Sequence, residues 1–392
     1  MAEASEFAAT SSRGGSCAYI GRMVAGCRSG CAAAASPLKR FVMKTGPGIP
    51  PAADVAREDA PVLVADIGGT HARLALVRND ADGGIGILAH QQYDCSAFPS
   101  LAGIVADFLS RSGGGRVHDA AIGCAGMHRG DTVTSLNLPW PVSLSELRGL
   151  GIARVAAVND FVAVAHAVQC LGPDHSVLLC GPEEPVADGP GLVVGPGTGL
   201  GAAYRIPCDG RILVLPSEAG QMAFAPGNAR ELAVLGQLFA AAAGVACTEI
   251  VSGPGLLTLY GALCALDGEA VRRASPAEVV AAARQGDDRQ ALEAVEMFCA
   301  VLGATIGNLA VAGIATRVHV AGGIVPRIRE FLPGSQFRAR FVGTGTGIMR
   351  AALEQIPVRL IDHPHQGVIG AAVWYQQRGQ AQAGAQMACA SI

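Results

Sequence analysis

An α/β fold of two lobes is predicted, and three observations carry it. From Pro61 onward, short apolar runs of strand character alternate with longer helical patterns, the alternation that lays helices over a largely parallel sheet. The chain has 392 residues, about two to three ordinary domain lengths and enough for two sizeable cores. A strand, a Gly/Thr loop and a second strand occur twice, over Leu63–Leu76 and Leu192–Tyr204, as though one unit were repeated.

Residues 1–58 mix Ala, Ser, Gly, Arg and Pro without sustained periodicity and are expected to be a disordered or mis-started arm. Met23–Ala25 is too short for the core of a signal peptide, Glu3 and Glu6 argue against a targeting arm, and Met43 is an alternative initiator. Val62–Ala65 is then the kind of apolar run found in strands covered on both faces. Asp66-Ile67-Gly68-Gly69-Thr70 is a turn and Ala72–Val77 the returning strand. Further strands are expected at Ala120–Cys124, Val155–Val158, Val177–Cys180, Leu192–Val194, Ala202–Ile206, Val318–Ala321 and Val358–Ile361. Phe161–Val168 reads as a short helix opening directly after Asn159-Asp160, and Gln290–Ala312 as a long buried one.

Composition removes several classes of function. Half the residues are hydrophobic, yet no run of about 18 is free of charges and breakers, so a soluble chain without a membrane partner is expected. A formal net charge of -3 gives no electrostatic reason for nucleic acid or acidic lipid as a partner. Lys39 and Lys44 are the only lysines and neither follows a glycine loop, which removes the P-loop and protein-kinase lysine mechanisms. The 12 Cys form no CxxC pair and only Cys27 and Cys31 lie close, so reduced, cytoplasmic thiols are expected rather than a zinc site or disulfide framework. The 9 His show no HxxxH or HExxH spacing, and His71, His128 and His166 are given no chemistry.

Glycine, at 52 residues, clusters in two loops: Asp66–Thr70 and Gly195-Pro-Gly-Thr-Gly-Leu-Gly201. Alone, either reads as a tight hairpin turn; together they offer two sets of free backbone N–H groups able to clamp one polyphosphate. The dinucleotide fingerprint fails, since Gly195 and Gly197 would need a glycine where Leu200 stands. Asp66 ends a strand at a loop entrance, where it caps the turn or reaches magnesium through water. Asp160 follows a strand and precedes a helix, the place of an N-cap and also of a base able to accept a hydroxyl proton. Glu218 lies in a loop between strand and helix patterns. Ala321-Gly-Gly-Ile-Val325 follows a strand and is expected to open a helix, with its backbone free for a ligand to approach.

Taken in order, Leu63-Val-Ala-Asp-Ile-Gly-Gly-Thr-His-Ala-Arg-Leu-Ala, Val158-Asn-Asp-Phe, Gly195-Pro-Gly-Thr-Gly-Leu-Gly, Ser217-Glu-Ala-Gly, Ser252-Gly-Pro-Gly-Leu and Ala321-Gly-Gly-Ile-Val-Pro-Arg resemble the bacterial glucokinase family, over about Pro61 to Trp374. The cysteine-rich zinc motif of the related repressor/kinase family is missing, so the resemblance is to the zinc-free branch. It implies an actin-like ATPase fold with two RNase H-like lobes, a ligand cleft between them, and a homodimer. The small lobe would comprise 59–170 with 362–382, the large lobe 171–361, and the C-terminal tail 383–392.

The resemblance further implies an ATP- and Mg²⁺-dependent cytoplasmic enzyme of glycolysis that phosphorylates glucose at the 6-hydroxyl. Ala65, Asp66, Ile67, Gly68, Gly69 and Thr70 would form the first phosphate loop, Gly197, Thr198 and Gly199 the second, and Gly322 and Gly323 the adenosine contact. Asp160 would be the general base, Asn159, Glu218 and Gln221 the sugar contacts, and Asp66 the magnesium ligand through water. Two positions depart from the family: Gln221 stands for its usual His, and Thr248 for its usual Glu, with Glu249 one residue on. They keep two alternatives open, a kinase for another hexose and a degenerate, kinase-like sugar-sensing regulatory protein.

Overall fold

The computed structural model describes residues 60–390 apart from 80–83, 114–116, 136–137, 240–243 and 344. The expectations for the arm 1–58, with Cys27, Cys31 and both lysines, lie outside the described residues.

In chain order the elements are β1 (Val62–Ile67), β2 (His71–Asn79), β3 (Ile85–Asp94), α1 (Leu101–Arg111), β4 (Asp119–Cys124), β5 (Met127–Arg129), β6 (Thr132–Thr134), β7 (Val142–Ser143), α2 (Leu144–Gly149), β8 (Arg154–Val158) and α3 (Asp160–Ala167). There follow β9 (Ser176–Cys180), β10 (Gly191–Pro196), β11 (Leu200–Cys208), β12 (Arg211–Ser217), α4 (Ala229–Phe239), α5 (Gly253–Asp267), α6 (Pro276–Gln285) and α7 (Arg289–Ala312). The chain closes with β13 (Arg317–Val320), α8 (Phe337–Gly343), α9 (Ile348–Glu354), β14 (Val358–Ile361) and α10 (Gln366–Ala390), which runs past the boundary at 382.

Two main sheets carry the architecture. The first has the strand order β3-β2-β1-β4-β8, the second β12-β11-β10-β13-β14-β9, and β5-β6-β7 form a small third sheet. In both main sheets an antiparallel hairpin lies beside parallel strands: β1 pairs antiparallel with β2 and parallel with β4, and β10 pairs antiparallel with β11 and parallel with β13. The repeated strand–loop–strand unit read from the sequence is therefore the same hairpin built twice. Only β9, antiparallel to β14, has no counterpart in the first sheet.

Each sheet has its own core. Leu63, Ala65, Ile67, Leu74, Ile104, Phe108 and Leu147 cluster around the first sheet, and Leu192, Val194, Leu259, Phe298, Leu302, Val318 and Leu360 around the second. Each of these side chains larger than Ala65 contributes, when fully buried, about 1.5–3 kcal/mol relative to exposure. Helix α7 is by length and composition apolar enough to cross a membrane; here 83% of its apolar window is buried in the second core.

Helix α3 touches both sheets, which explains why it has no polar stripe. Val162 and Ala163 pack with Val64, Ala121 and α10 residues Val368 and Ala371, whereas Val164 and Ala165 pack with Val193, Ala203 and Ala321 of the second sheet. The Phe161 ring fills the space over Gly201 of β11. Helix α3 thus delivers its N-terminus, with Asn159 and Asp160, to the line where the two sheets meet.

Candidate active site

The two glycine loops are the β1–β2 and β10–β11 turns. In the first, Gly68 N–H donates to the His71 carbonyl at 2.9 Å, and Cys95 N–H donates to the Thr70 carbonyl at 2.9 Å. Thr70 is exposed, while Ala65 and Ile67 are buried in the strand below, so only their backbone is open to a ligand. In the second, Gly197 N–H donates to the Gly199 carbonyl at 2.7 Å, and the first turn of α5 is tied in through Gly253 N–H to the Gly197 carbonyl at 2.8 Å.

The two carboxylates read as catalytic candidates sit together. Asn159 is the N-cap of α3, its Oδ1 accepting from Phe161 N–H at 3.0 Å and Val162 N–H at 3.1 Å. This revises the expectation that Asp160 caps the helix: Asn159 satisfies the orphan amides. Asp160 accepts one backbone bond, from Phe161 N–H at 2.9 Å, and remains only partly buried. Burial, with the nearby charges of Asp66 and then Glu218, pushes its carboxyl up to about 7. Burial likewise raises Asp66 against the opposing pull of Arg73, whose guanidinium lies 3.4 Å away. Below them the Cys124 thiol is pushed up to about 12 by burial, then by Asp160 and Asp66.

Arg73 escaped the sequence reading, although a signal existed. It is the direct cross-strand partner of Asp66 in the hairpin, a relation found only by counting register back from the turn. Gly367, at the start of α10, was also missed. A Cβ there would collide with the Asp66 carboxylate, so the open space at Gly367 is what lets Asp66 sit where it does.

The remaining predicted residues fall around this centre. Glu218 directly follows β12 and is exposed, and Gln221, also exposed, closes the following 3-10 turn through its N–H to the Glu218 carbonyl at 2.9 Å. That turn rests on the second glycine loop, since Gly220 packs against the Leu200 carbonyl. Ala321–Gly323 leaves β13 beside the same loop, with Ala321 N–H donating to the Val194 carbonyl at 2.9 Å. Gly322 has φ +87, and a Cβ would strike the Pro196 carbonyl, so both conformation and space demand glycine. The expected helix after this motif is only a 3-10 turn, Val325–Arg327.

Thr248 has a defined role in this geometry. Its Oγ1 accepts the Leu200 N–H at 3.0 Å, bracing the second loop, while Cys247 N–H donates to the Met222 carbonyl at 2.7 Å and so ties the same turn to the Glu218 loop. Glu249 does not substitute for a missing carboxylate, because its Oε2 accepts from Ala246 N–H at 2.9 Å within its own turn.

Residues 63–378 match the family model described as Glucokinase. The chain belongs to the glucokinase family. A glucokinase-like protein of Xylella fastidiosa is 41% identical over 318 residues, covering 80% of this chain and 94% of the relative. Among solved structures, a glucokinase from an Antarctic psychrotroph superposes with a TM-score of 0.69 at 31% identity, covering 81% of this chain and 99% of that one. A ROK family glucokinase from Streptomyces griseus, solved with glucose and AMPPNP, shares the fold at a TM-score of 0.54 and 20% identity, over 80% of this chain and 98% of that one. The chain is therefore a sugar kinase with the actin-like ATPase fold that the family resemblance implied.

Proposed function

We propose that this protein transfers the γ-phosphoryl group of ATP to the 6-hydroxyl of glucose, giving glucose 6-phosphate and ADP. The observation that carries the reading is the Asp160 carboxylate, poised at about 7 beside Asp66 and set at the helix end that both sheets touch. A base poised near the operating pH is half-available as acceptor and still basic enough to take a hydroxyl proton. Asp160 accepts that proton as the sugar oxygen forms its bond to the γ-phosphorus. The bond from phosphorus to the β–γ bridging oxygen breaks, and its electron pair leaves with ADP. With the Gly68 and Gly197 N–H groups committed within their turns, the backbone N–H groups of Gly69 and Thr70 and of Thr198 and Gly199 would face the phosphates, and Gly322 and Gly323 give the adenosine close approach to the backbone. Asn159, whose Oδ1 is committed to the cap, offers the sugar its Nδ2 donors; Glu218 and Gln221 complete the pocket.

The Asp66 carboxylate that raises the cost of charging Asp160 suits a cation, but no group of three His, Cys, Asp or Glu able to hold a metal occurs among the described residues. Asp66 through water, with the phosphates, would hold Mg²⁺, which neutralises charge on the transferring group when bound. In this reading 59–170 with 362–382 closes against 171–361 over the substrates. The enzyme works as a homodimer in the cytoplasm, without membrane or nucleic-acid partners.

One observation favours a different hexose: Thr248 and Glu249 are both engaged elsewhere, leaving the sugar pocket without the family's second carboxylate. A coupled assay of ADP formation with ATP, Mg²⁺ and a panel of hexoses decides. Glucose with the highest kcat/KM supports the proposal, another hexose on top shifts the substrate, and hexose-independent or absent turnover in folded protein overturns the kinase assignment.

The brace at Thr248 gives a separate prediction. Thr248→Val leaves the Leu200 amide without its acceptor, a cost of about 1–3 kcal/mol, so KM for ATP is expected to rise roughly tenfold while KM for the hexose stays near wild type. Thr248→Ser, which keeps the hydroxyl, is expected to behave as wild type; equal losses in both variants would show that the hydroxyl is not what holds the loop.

A further inference from the structure

The face of the second sheet that α3 covers changes character along its length. Near the glycine loops it presents Gly201, Ala203, Val193 and Ala321, which receive α3. At the opposite end the same face carries Arg205 on β11, Arg317 and His319 on β13, and Arg359 on β14. Register fixes this grouping: Gly191 of β10 pairs with Arg205 on one side and Arg317 on the other, and His319 pairs with Arg359. Residues 317 and 319 point to one face by the two-residue period of a strand.

Three features of this cluster are unexplained by folding. Arg205 has no ion pair among the described residues, and its Nε, the Arg317 Nε and the His319 Nδ1 are buried without a hydrogen-bond partner there. The carboxylates that reach the cluster are on its rim: Asp188, 2.8 Å from Arg317, is 96% exposed, and Glu183, 3.0 Å from Arg359, is 76% exposed. Gly191 leaves a gap between two arginine stems, where a Cβ would lie 3.3 Å from Arg317 Cγ and 3.8 Å from Arg205 Cβ. On the Arg317 side of this gap opens a cavity of about 250 Å³, lined by Arg317, His319, Arg359, Glu183, Glu184 and Pro357, with Arg205 outside the lining across the gap at Gly191. Among the described residues Arg205 is the one guanidinium of the three without a carboxylate, and a part-buried cation left so is costly unless an anion offsets it.

We propose that this hollow, at the far end of the second sheet from the glycine loops, binds a small phosphate-bearing dianion. Free phosphate and the phosphate group of a phosphosugar present the same chemistry, and either fits beside the Arg317 and Arg359 guanidinium groups, whose planar donors match phosphate oxygens, with the charge of Arg205 behind them. His319 sits at the centre, held down to about 3 by burial and then by Arg205, Arg317 and Arg359, so it is neutral in the empty hollow. Burial and Arg317 lower Arg205 in the same way, with His166 of α3 and Cys170 its remaining titratable neighbours. A bound dianion reverses both pressures.

The test is calorimetric titration of the full chain with inorganic phosphate and, separately, with glucose 6-phosphate, each with and without saturating Mg-AMPPNP. One binding event insensitive to AMPPNP is expected, weakened roughly tenfold or more in Arg205→Gln, the scale of one lost charge-assisted hydrogen bond. Gly191→Val keeps every charge but fills the gap and is expected to weaken binding similarly, which covers the case that Arg205→Gln does not fold. Binding of both anions assigns the site to phosphate itself; binding of glucose 6-phosphate alone assigns it to a phosphosugar. No heat up to about 20 mM, displacement by AMPPNP, or binding untouched by both variants overturns the proposal. Because the variants lie away from the glycine loops, their effect is readable even if the kinase proposal fails. As an independent readout, Arg205→Gln is expected to raise the melting temperature in phosphate-free buffer and to lose the rise that phosphate gives wild type.

Discussion

Asp160→Asn is expected to lower turnover by about 10²–10⁴, the usual range for removing a general base, with nucleotide binding retained. The same residue sets the pH dependence. With the carboxyl raised to about 7, kcat/KM falls about tenfold per unit as pH drops below 7 and levels off above it, because only the ionised form accepts a proton. Stability moves the other way. A carboxyl whose folded value lies above its unfolded one binds more protons in the native state, so ionising it costs stability progressively from near the unfolded value of 3.8 up to about 7, and the cost is complete above that. Asparagine keeps an oxygen for Phe161 N–H without the charge. Asp160→Asn is therefore expected to melt higher than wild type at pH 8, with the gap closing toward pH 4. Turnover and melting curves across this range check both signs at once. Unchanged turnover would remove Asp160 from the mechanism, and a lower melting point at pH 8 would show that its burial is not what raises it.

Strands covered on both faces were legible in the sequence; of the half-exposed edge strands only β9 was, through the apolar run Val177–Cys180. Val62–Ala65, Ala120–Cys124 and Leu192–Val194 are unbroken apolar runs because helices lie over one or both faces of their sheets, and each was placed within two residues at either end. Of the missed strands, β5, β6 and β7 are only two or three residues long, and β3 and β12 are edge strands of the main sheets. In β12 every second side chain is exposed, yet leucines stand at 213 and 215 on that outer side, which breaks the polar alternation a reader looks for. The site divides similarly. Asp66 and Asp160 announce themselves by lying at strand ends next to glycine or a helix start. Arg73 and Gly367 become visible only through strand register and a helix crossing, and Arg205, Arg317, His319 and Arg359 are spread over more than a hundred residues until three strands align them.

Gly370→Val is expected to be the most damaging of these substitutions to the fold. Gly370 lies on the face of α10 that crosses α3, and a Cβ there would collide with the Ala163 carbonyl, main chain that cannot rotate away. Helix propensity alone predicts the opposite sign, since replacing a mid-helix glycine by alanine gains about 1 kcal/mol. Overpacking costs about 1–3 kcal/mol, and the β-branched valine in a backbone contact falls at the upper end, so the collision wins for both residues. The loss is not confined to stability. Parting α10 from α3 shifts Ala163, three residues from Asp160, together with the Val368 and Ala371 contacts that hold α3 against the first sheet. Gly367, one turn earlier on α10, moves with it and takes away the surface under the Asp66 carboxylate. Thermal melts of Gly370→Ala and Gly370→Val, with turnover measured well below both transitions, read the two effects separately. Both variants are expected to melt lower than wild type, valine more so, and to lose turnover even when fully folded; an alanine variant that melts higher would mean the helices do not cross at this glycine.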